Sequence, residues 1–208
     1  GQAATIKSIR FVGNNIMDDD ELQEQMALRT GGWMSWYTKS DLYSREKLAA
    51  DIEAIRSFYL NNGYLDFKVD SVQVSIAPNK KDIFISINLT EGEQYTVSGV
   101  ELAGDMLGLQ DDLLPLIEIK PDSIYNAEEI NTASEAIAQK LSSLGYAFAT
   151  ARPTPVVGDN NTVKIVYTID PGRRAYVRKV NISGNTKTKD EVIRREVRQY
   201  EAGLIAKR

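Results

Sequence analysis

Acidic side chains form the clusters in this sequence that could support catalysis or hold a metal ion. The clusters are Asp18-Asp19-Asp20, Asp111-Asp112 and Glu128-Glu129. Paired carboxylates suit general acid–base hydrolysis. However, the chain has no histidine and no cysteine, so no nucleophile–base pair with a third orienting group can be proposed. Each cluster also precedes or opens a predicted helix, where negative charge complements the helix dipole. We therefore predict a non-enzyme without cofactor or metal, with a carboxylate-pair hydrolase as the alternative.

The composition excludes several further classes of function. The net charge of −4 and the absence of long lysine- or arginine-rich blocks give no footprint for nucleic acid. Without cysteine there are no disulfides and no thiolate metal sites. No stretch is long and apolar enough to cross a bilayer as a helix. No signal peptide is evident, which indicates either a cytosolic chain or a piece of a larger protein, and the abrupt ending favours a piece.

A short strand pattern occurs three times along the chain. In each copy an apolar residue is followed by two more at period two, and a glycine closes the strand. The copies run from Ile6 to Gly13, from Val97 to Gly104 and from Val177 to Gly184. Because they are separated by the length of a small domain, they indicate tandem domains and not a solenoid of short units. We predict boundaries at 1–91, 92–171 and 172–208.

The elements within each full unit follow the order strand, helix, helix, strand, strand. The first and last strands must pair to bury their apolar face under the two helices, which leaves the middle strand at an edge. The predicted fold class is therefore α+β, with a three-stranded mixed sheet in each unit. The third unit has only its opening strand and a helix from Thr188, so we expect it to be poorly ordered or to borrow a partner.

The predicted edge strand of the first unit contains a change of phase. Phe67 and Val69 are apolar at period two, whereas Val72, Val74 and Ile76 continue on the opposite parity. A bulge near Asp70-Ser71 would bring both sets to one face, and a strand that is apolar on both faces is the alternative. In the second unit the corresponding strand carries Pro153 and Pro155. Since proline cannot donate to a ladder, we predict an edge strand there as well.

The helix boundaries are marked by capping residues. Asp18-x-x-Glu21 resembles a capping box, and Asn126-x-x-Glu129 precedes the long helix of the second unit. Pro115 must lie in the first turn of its helix or break it. Gly63 and Gly145 are predicted left-handed helix ends. Tyr64 is expected to start the next strand, and Gly145-Tyr146 is expected to end the long helix of the second unit.

These patterns resemble POTRA domains, the tandem modules that precede outer-membrane β-barrels. The resemblance covers essentially the whole chain and is most specific from Tyr176 to Gln199. By their order, the units look like the third, the fourth and the start of the fifth domain. The other segments that carry the resemblance are Leu48-Ala49-Ala50-Asp51 through Gly63-Tyr64, Asp70 to Ser75, Thr90 to Tyr95, and the Gly-Asn pairs Gly13-Asn14 and Gly184-Asn185.

The resemblance implies a periplasmic scaffold of an outer-membrane protein that helps other outer-membrane proteins fold and insert. The implied partners are a propeller-type assembly lipoprotein at the first unit, a helical-repeat lipoprotein at the last unit and unfolded outer-membrane proteins. Periplasmic chaperones are a further candidate. A POTRA array of another secretion or translocation barrel is the alternative.

The first candidate site is the edge strand from Phe67 to Ile76 with its hairpin. An unpaired edge offers main-chain donors and acceptors to an extended segment of a partner. The residues alone favour an ordinary edge, with Val74 and Ile76 in the core and Asp70 as a solvated charge. The resemblance favours a binding site instead, and it implies lipoprotein contacts at Asp70, Val74, Ile76, Lys80 and Phe84.

Two further candidates are weighed against ordinary structural roles. Arg194, Arg195, Arg198 and Glu201 form a charged face of the predicted helix, and the residues alone favour a solvated surface. The resemblance places Arg194, Arg195 and Glu201 where a helical-repeat lipoprotein binds. The aromatic cluster Trp33, Trp36 and Tyr37 could dock unfolded substrate, but packing over its own helices is favoured.

Overall fold

The computed structural model describes residues 3–35 and 42–172. The predicted helix from Thr188 and the rest of the partial third unit therefore lie outside the described residues. No helix of the described part is long and apolar enough to cross a membrane. In chain order, the elements are β1 (Ala3–Val12), α1 (Asp19–Glu24), β2 (Trp33–Ser35), α2 (Leu42–Asn61), β3 (Lys68–Ile76), β4 (Asp82–Thr90), β5 (Thr96–Gly104), α3 (Gln110–Leu113), a 3-10 turn (Leu114–Leu116), α4 (Ala127–Ser143), β6 (Thr150–Val157) and β7 (Thr162–Asp170).

The chain divides into two compact units. The described part of the first holds 3–35, 42–96 and 124–127, and that of the second holds 97–123 and 128–172. Each unit has helices and one sheet, as the α+β prediction requires.

The sheet of the first unit has the strand order β2-β1-β4-β3. β1 pairs in parallel with β4, as predicted, while β3 pairs antiparallel with the other side of β4. The short strand β2 adds to the outer side of β1 and was not predicted. Helix α2 covers the sheet with Leu48, Ile55 and Tyr59, all of which are buried against β4 side chains at alternate positions. The buried residues of β4 are Ile83, Ile85, Ile87 and Leu89.

The predicted bulge in β3 is confirmed. Val69 lies opposite Leu89, but Ser71 lies opposite Asn88, so Asp70 is an extra residue in the ladder. Because the inserted residue shifts the parity of the strand, Val69 and Val74 both lie on the face that α2 covers.

The prediction that Tyr64 starts the next strand is wrong. Gly63 has a φ of 96° and ends α2 as expected, but β3 begins only at Lys68. The Tyr64 amide donates to the Tyr59 carbonyl at 3.0 Å, and the two rings meet edge-on. The tyrosine thus folds back under the helix it follows, because its ring is better buried against Tyr59 than placed in a strand. Tyr146 likewise precedes β6, which begins at Thr150.

The sheet of the second unit has the strand order β5-β7-β6. Its central strand β7 buries every second residue from Val163 to Ile169 beneath α4. The edge position predicted for β6 from its prolines is confirmed. Pro115 ends the short helix α3, and the chain continues as one 3-10 turn. The buried residues of α4 are Ile130, Ala133, Ile137 and Leu141.

One close approach explains the glycine that closes the first two copies of the repeated strand. A Cβ atom at Gly13 would lie 2.0 Å from the Leu89 carbonyl oxygen, and one at Gly104 would lie 2.4 Å from that of Ile169. Both glycines also have positive φ values, 102° and 85°. The opening strand therefore ends against the backbone of the closing strand, at a distance and in a conformation that only glycine allows.

Candidate binding edge of the first unit

The outer side of β3 is a free sheet edge in the described part of the chain, where β3 pairs only with β4. At the hairpin, the Ala77 amide donates to the Asp82 carbonyl at 2.9 Å. Antiparallel bonds join alternate residues, so Ala77, Ser75 and Gln73 bond to β4. The residues between them direct their amide and carbonyl away from β4. By this register, Val72, Val74 and Ile76 offer their main-chain donors and acceptors to a partner.

The same three residues place their side chains on the helix-covered face of the sheet. They lie opposite the buried residues Ile87, Ile85 and Ile83. Val74 is half-buried and packs against the core, whereas Val72 and Ile76 are 37% and 39% exposed. Val72 was not among the predicted contact residues, although its period-two spacing with Val74 was the available signal. The edge therefore combines a row of partly exposed apolar side chains with unpaired main-chain groups.

Asp70 lies at one end of this edge, as the extra residue of the bulge. Its side chain is exposed, and Thr90 Oγ1 donates to its Oδ2 at 2.7 Å. The bulge interrupts the ladder, and bulges of this kind terminate or redirect pairing at sheet edges. The straight part of the free edge thus runs from Ser71 to Ile76.

Lys80 lies at the other end, in the turn between β3 and β4. It has a left-handed backbone with a φ of 59°, and the Asn79 side chain accepts from the Lys81 amide at 2.8 Å. A surface hollow at this turn is lined by Ile76, Ala77, Pro78 and Lys80. The charged side chains at this end are Lys80, Lys81 and Asp82, and those at the bulged end are Lys68 and Asp70.

Phe84 lies on the opposite face of the sheet from Val74 and Ile76. Its ladder partners are Ser75 on one side and Ser8 on the other, and the side chain is 39% exposed. The structure therefore brings Asp70, Val74, Ile76 and Lys80 to one edge but separates Phe84 from them by the thickness of the sheet. A partner would have to wrap around β3 to contact all five.

Trp33 lies in β2, at the opposite edge of the same sheet, with 74% of its surface exposed. The favoured prediction that this side chain packs over its own helices is wrong, because β2 holds it away from the helix layer. Trp36 and Tyr37 lie outside the described residues, as do Arg194, Arg195 and Glu201.

The acidic clusters lie at helix starts. Asp18 accepts from the Glu21 amide at 2.8 Å in a complete capping box, and Asp19 and Asp20 follow in the first turn of α1. Asp111 and Asp112 occupy the first turn of α3, and Glu128 and Glu129 that of α4. Within residues 3–35 and 42–172, no group of three or more acidic side chains is placed to hold a metal ion.

The model of the POTRA family, described as a surface antigen variable number repeat, matches residues 4–92, 95–172 and 175–207. The chain belongs to the POTRA family. Each of the three matched segments contains one copy of the repeated strand pattern with its closing glycine.

Relatives and solved structures give the same result. The chain is 35% identical to the outer membrane protein assembly factor BamA of Neisseria meningitidis over 97% of its length, and 30% identical to that of Buchnera aphidicola, also over 97%. It covers 26% and 33% of those proteins, so it spans about a quarter to a third of the curated relatives. A crystal structure of POTRA domains 3–5 of Haemophilus influenzae BamA matches with a TM-score of 0.78 and 30% identity, covering 94% of this chain and 77% of that one.

Proposed function

We propose that the chain is a periplasmic scaffold within an outer-membrane protein assembly factor, and that β3 binds extended partner segments by strand addition. The names of the curated relatives support the assembly role over a POTRA array of another secretion or translocation barrel. The match to domains 3–5 of a relative supports the proposed division at 1–91, 92–171 and 172–208. In this proposal the chain acts by binding and not by catalysis.

The free edge of β3 is the observation that carries the binding mode. Strand addition draws its affinity from main-chain hydrogen bonds and its specificity from alternate side chains. By the register of the hairpin, Val72, Val74 and Ile76 supply both, since each also presents a partly exposed apolar side chain. An edge of this length would otherwise favour aggregation, which native proteins prevent by covering it or pairing it.

The chemistry of the edge describes the segment that it fits. Residues of the added strand that face the helix side should be apolar at period two, to extend the row formed by Val72, Val74 and Ile76. An acidic residue near the hairpin would pair with Lys80, and a basic one near the bulge would pair with Asp70. Unfolded outer-membrane strands alternate in this manner, and an edge strand of a propeller-type lipoprotein would satisfy the same pattern.

A second contact is proposed for the last unit. There Arg194, Arg195 and Glu201 would bind a helical-repeat lipoprotein by charge pairing. This part of the proposal depends on the family resemblance, because these residues lie outside the described part of the chain. Periplasmic chaperones complete the proposed partners.

Replacing Val74 with proline tests the strand-addition mode. Val74→Pro removes one outward amide but no bond of the β3–β4 ladder, so the unit should remain folded. We expect affinity for the propeller-type lipoprotein to fall about fivefold to tenfold, the value of one hydrogen bond of about 1 kcal/mol. Isothermal titration calorimetry with the purified lipoprotein measures this.

Val74→Thr is the matched control, because threonine keeps both the amide and the branched shape. It should bind within about twofold of the native chain. Equal affinity for the proline and threonine variants would exclude main-chain pairing at β3. Loss of binding in both would indicate a side-chain contact instead.

A further inference from the structure

The edge strand of the second unit, β6, carries two prolines at positions that decide whether it can accept a strand. The Gly158 amide donates to the Thr162 carbonyl at 2.9 Å. By the alternation of antiparallel bonds, Thr154 and Val156 bond to β7, whereas Pro153 and Pro155 face the free side. Proline has no amide hydrogen, so two outward donors of this edge are missing.

The prolines occupy the register positions of two valines in the first unit. Pro153 and Pro155 lie opposite Tyr167 and Ile165. Val72 and Val74 lie opposite Ile87 and Ile85. In the first unit, Ile87 and Ile85 precede the residue whose carbonyl meets the closing glycine, Leu89, by two and four positions. In the second unit, Tyr167 and Ile165 precede the corresponding residue, Ile169, by the same two and four positions. The two edges therefore differ at equivalent positions, where one presents amides and the other presents pyrrolidine rings.

The end of β6 is apolar and exposed, so this edge would associate with other chains if it could accept an added strand. Val156 and Val157 have 46% and 58% of their surfaces exposed. An exposed apolar edge strand is a site of unwanted association, and proline on the edge is one way in which native sheets prevent it.

We infer that Pro153 and Pro155 prevent strand addition at β6, so that of the two equivalent edges, β3 and β6, only β3 accepts an added strand. This inference rests on the proposed function, since it assumes that partners bind as added strands. It assigns the two prolines a role in specificity, because an extended segment that matches β3 would otherwise find a second edge of similar length on the same chain.

Disulfide trapping tests the inference directly, since the chain contains no cysteine of its own. Gln73→Cys reports on β3 and Thr154→Cys reports on β6. These positions are equivalent, and each would lie in a non-hydrogen-bonded pair with an added strand, where side chains are closest. The probe is a peptide with the sequence of β4, Asp82–Thr90, in which its Ser86 is replaced by a cysteine that carries thionitrobenzoate as a mixed disulfide. The protein thiolate attacks the peptide sulfur and releases thionitrobenzoate, so no further oxidant is needed. The alternating isoleucines of the peptide match the apolar row of β3.

With the native prolines and a peptide concentration below saturation, Gln73→Cys should form the disulfide about thirtyfold faster than Thr154→Cys. This ratio is the effect of about two missing hydrogen bonds. Replacing the prolines by valines, Pro153→Val with Pro155→Val, should raise trapping at Thr154→Cys to within about threefold of Gln73→Cys. Each rate is divided by the rate of the same cysteine with a small disulfide reagent, which corrects for accessibility. Thermal melting confirms the fold, and Pro155→Val alone serves if the double variant is unfolded.

The outcomes separate this inference from the proposed function. Trapping at Gln73→Cys with no increase at Thr154→Cys after proline replacement would overturn the inference and leave the proposed function intact. An increase at Thr154→Cys without any trapping at Gln73→Cys would support the role of the prolines but contradict strand addition at β3. Equal trapping at both sites with the native prolines would overturn the inference.

Discussion

The two units have the same order of helices and main strands, but different side chains stabilise their cores. In the first unit, Tyr59 donates from its hydroxyl to the buried carboxylate of Glu91 at 2.8 Å. In the second unit the equivalent residues are Leu141 and Pro171. The equivalence is structural, because the amide of Tyr64 bonds to Tyr59 and that of Tyr146 bonds to Leu141 in the same way. Asp51, also buried in the first unit, has the buried Ala133 as its counterpart.

The Glu91 carboxylate holds the loop that follows β1, whereas in the second unit a side chain within the corresponding loop makes the hydrogen bond. The Glu91 carboxylate accepts from the amides of Asn15, Ile16 and Met17 at 2.7 to 3.1 Å. The group formed by Glu91, Tyr59 and these three amides is referred to below as the Glu91 network. In the second unit the Asp105 side chain accepts from Leu107 in the corresponding turn, two residues away.

The comparison separates what the fold requires from what one unit adds. The glycine that closes the first strand is present in both units with the same carbonyl contact. Tyr59, Glu91 and Asp51 occur in the first unit and are replaced by apolar side chains in the second, whose own buried hydroxyl, that of Tyr167, donates to the Ile130 carbonyl at 2.9 Å. The close backbone approach is therefore a requirement of the fold, whereas the Glu91 network is an additional device of the first unit.

The largest expected effect comes from the shared glycine. Gly13→Ala or Gly104→Ala would drive a Cβ atom into a backbone carbonyl and impose a positive φ on alanine. We expect each to destabilise its own unit by about 4 kcal/mol or more, which is enough to unfold a small domain. Urea unfolding followed by hydrogen exchange of each unit measures it.

Gly31→Ala is the matched control for this substitution. Gly31 also has a positive φ, 84°, but a Cβ atom there meets nothing within 4 Å. It should therefore cost only the left-handed strain of about 1 to 2 kcal/mol. If Gly13→Ala cost no more than Gly31→Ala, the carbonyl contact would not be the reason for the glycine.

The second effect should appear in the first unit alone. Glu91→Gln replaces a carboxylate by an amide with a single acceptor oxygen, so several buried donors lose their partner. We expect a loss of about 3 kcal/mol, because an unsatisfied buried donor costs about 1 to 3 kcal/mol. Hydrogen exchange at Asn15, Ile16 and Met17 should lose protection.

Pro171→Ala, at the equivalent position of the second unit, should change the stability of that unit by less than about 1 kcal/mol. Similar losses for the two variants would contradict the proposed difference between the units. Unchanged exchange at Asn15 in Glu91→Gln would show that the network does not hold the loop.

The sequence predicted the features that depend on short-range periodicity. The repeated glycine, the bulge at Asp70 and the proline-bearing edge all follow from spacing within one strand. The strand β2 could not be predicted in this way, because three residues in a stretch rich in glycine and aromatic residues carry no period. The Glu91 network joins residues 32 to 76 positions apart, and no local pattern marks such a contact.

The candidate site was predicted to a similar extent. That β3 lies at an edge follows from the order of the elements, and Val74 follows from the phase of the strand. The separation of Phe84 from this edge was also readable, because the alternation of Ile83, Ile85 and Ile87 places Phe84 on the other face of β4. The exposure of Val72 depends on how far the helix layer reaches over the edge. That is a property of packing, and a single sequence does not contain it in readable form.

The smallest effect that would sharpen the comparison is a difference in alkaline stability. Burial, with the hydrogen bond to Glu91, raises the pKa of Tyr59 far above its ordinary value. A group whose folded pKa is raised stabilises the fold fully below its unfolded pKa of about 10. That stabilisation is lost as the pH rises above this value. The first unit should therefore lose at most about 1.4 kcal/mol per pH unit from this residue above about pH 10.

Tyr59→Phe should flatten this dependence, because the phenylalanine cannot ionise in the unfolded chain. Burial also raises the pKa of Tyr64, so part of the alkaline slope should remain in the variant. Urea unfolding at about pH 8 and about pH 11 gives the slope for each protein. Leu141→Met is the control, since it changes the equivalent side chain of the second unit without adding a titrating group. If Tyr59→Phe and the native chain lost the same stability between these two pH values, ionisation of Tyr59 would not limit the first unit. The stabilisation from Glu91 would then come from the loop amides alone.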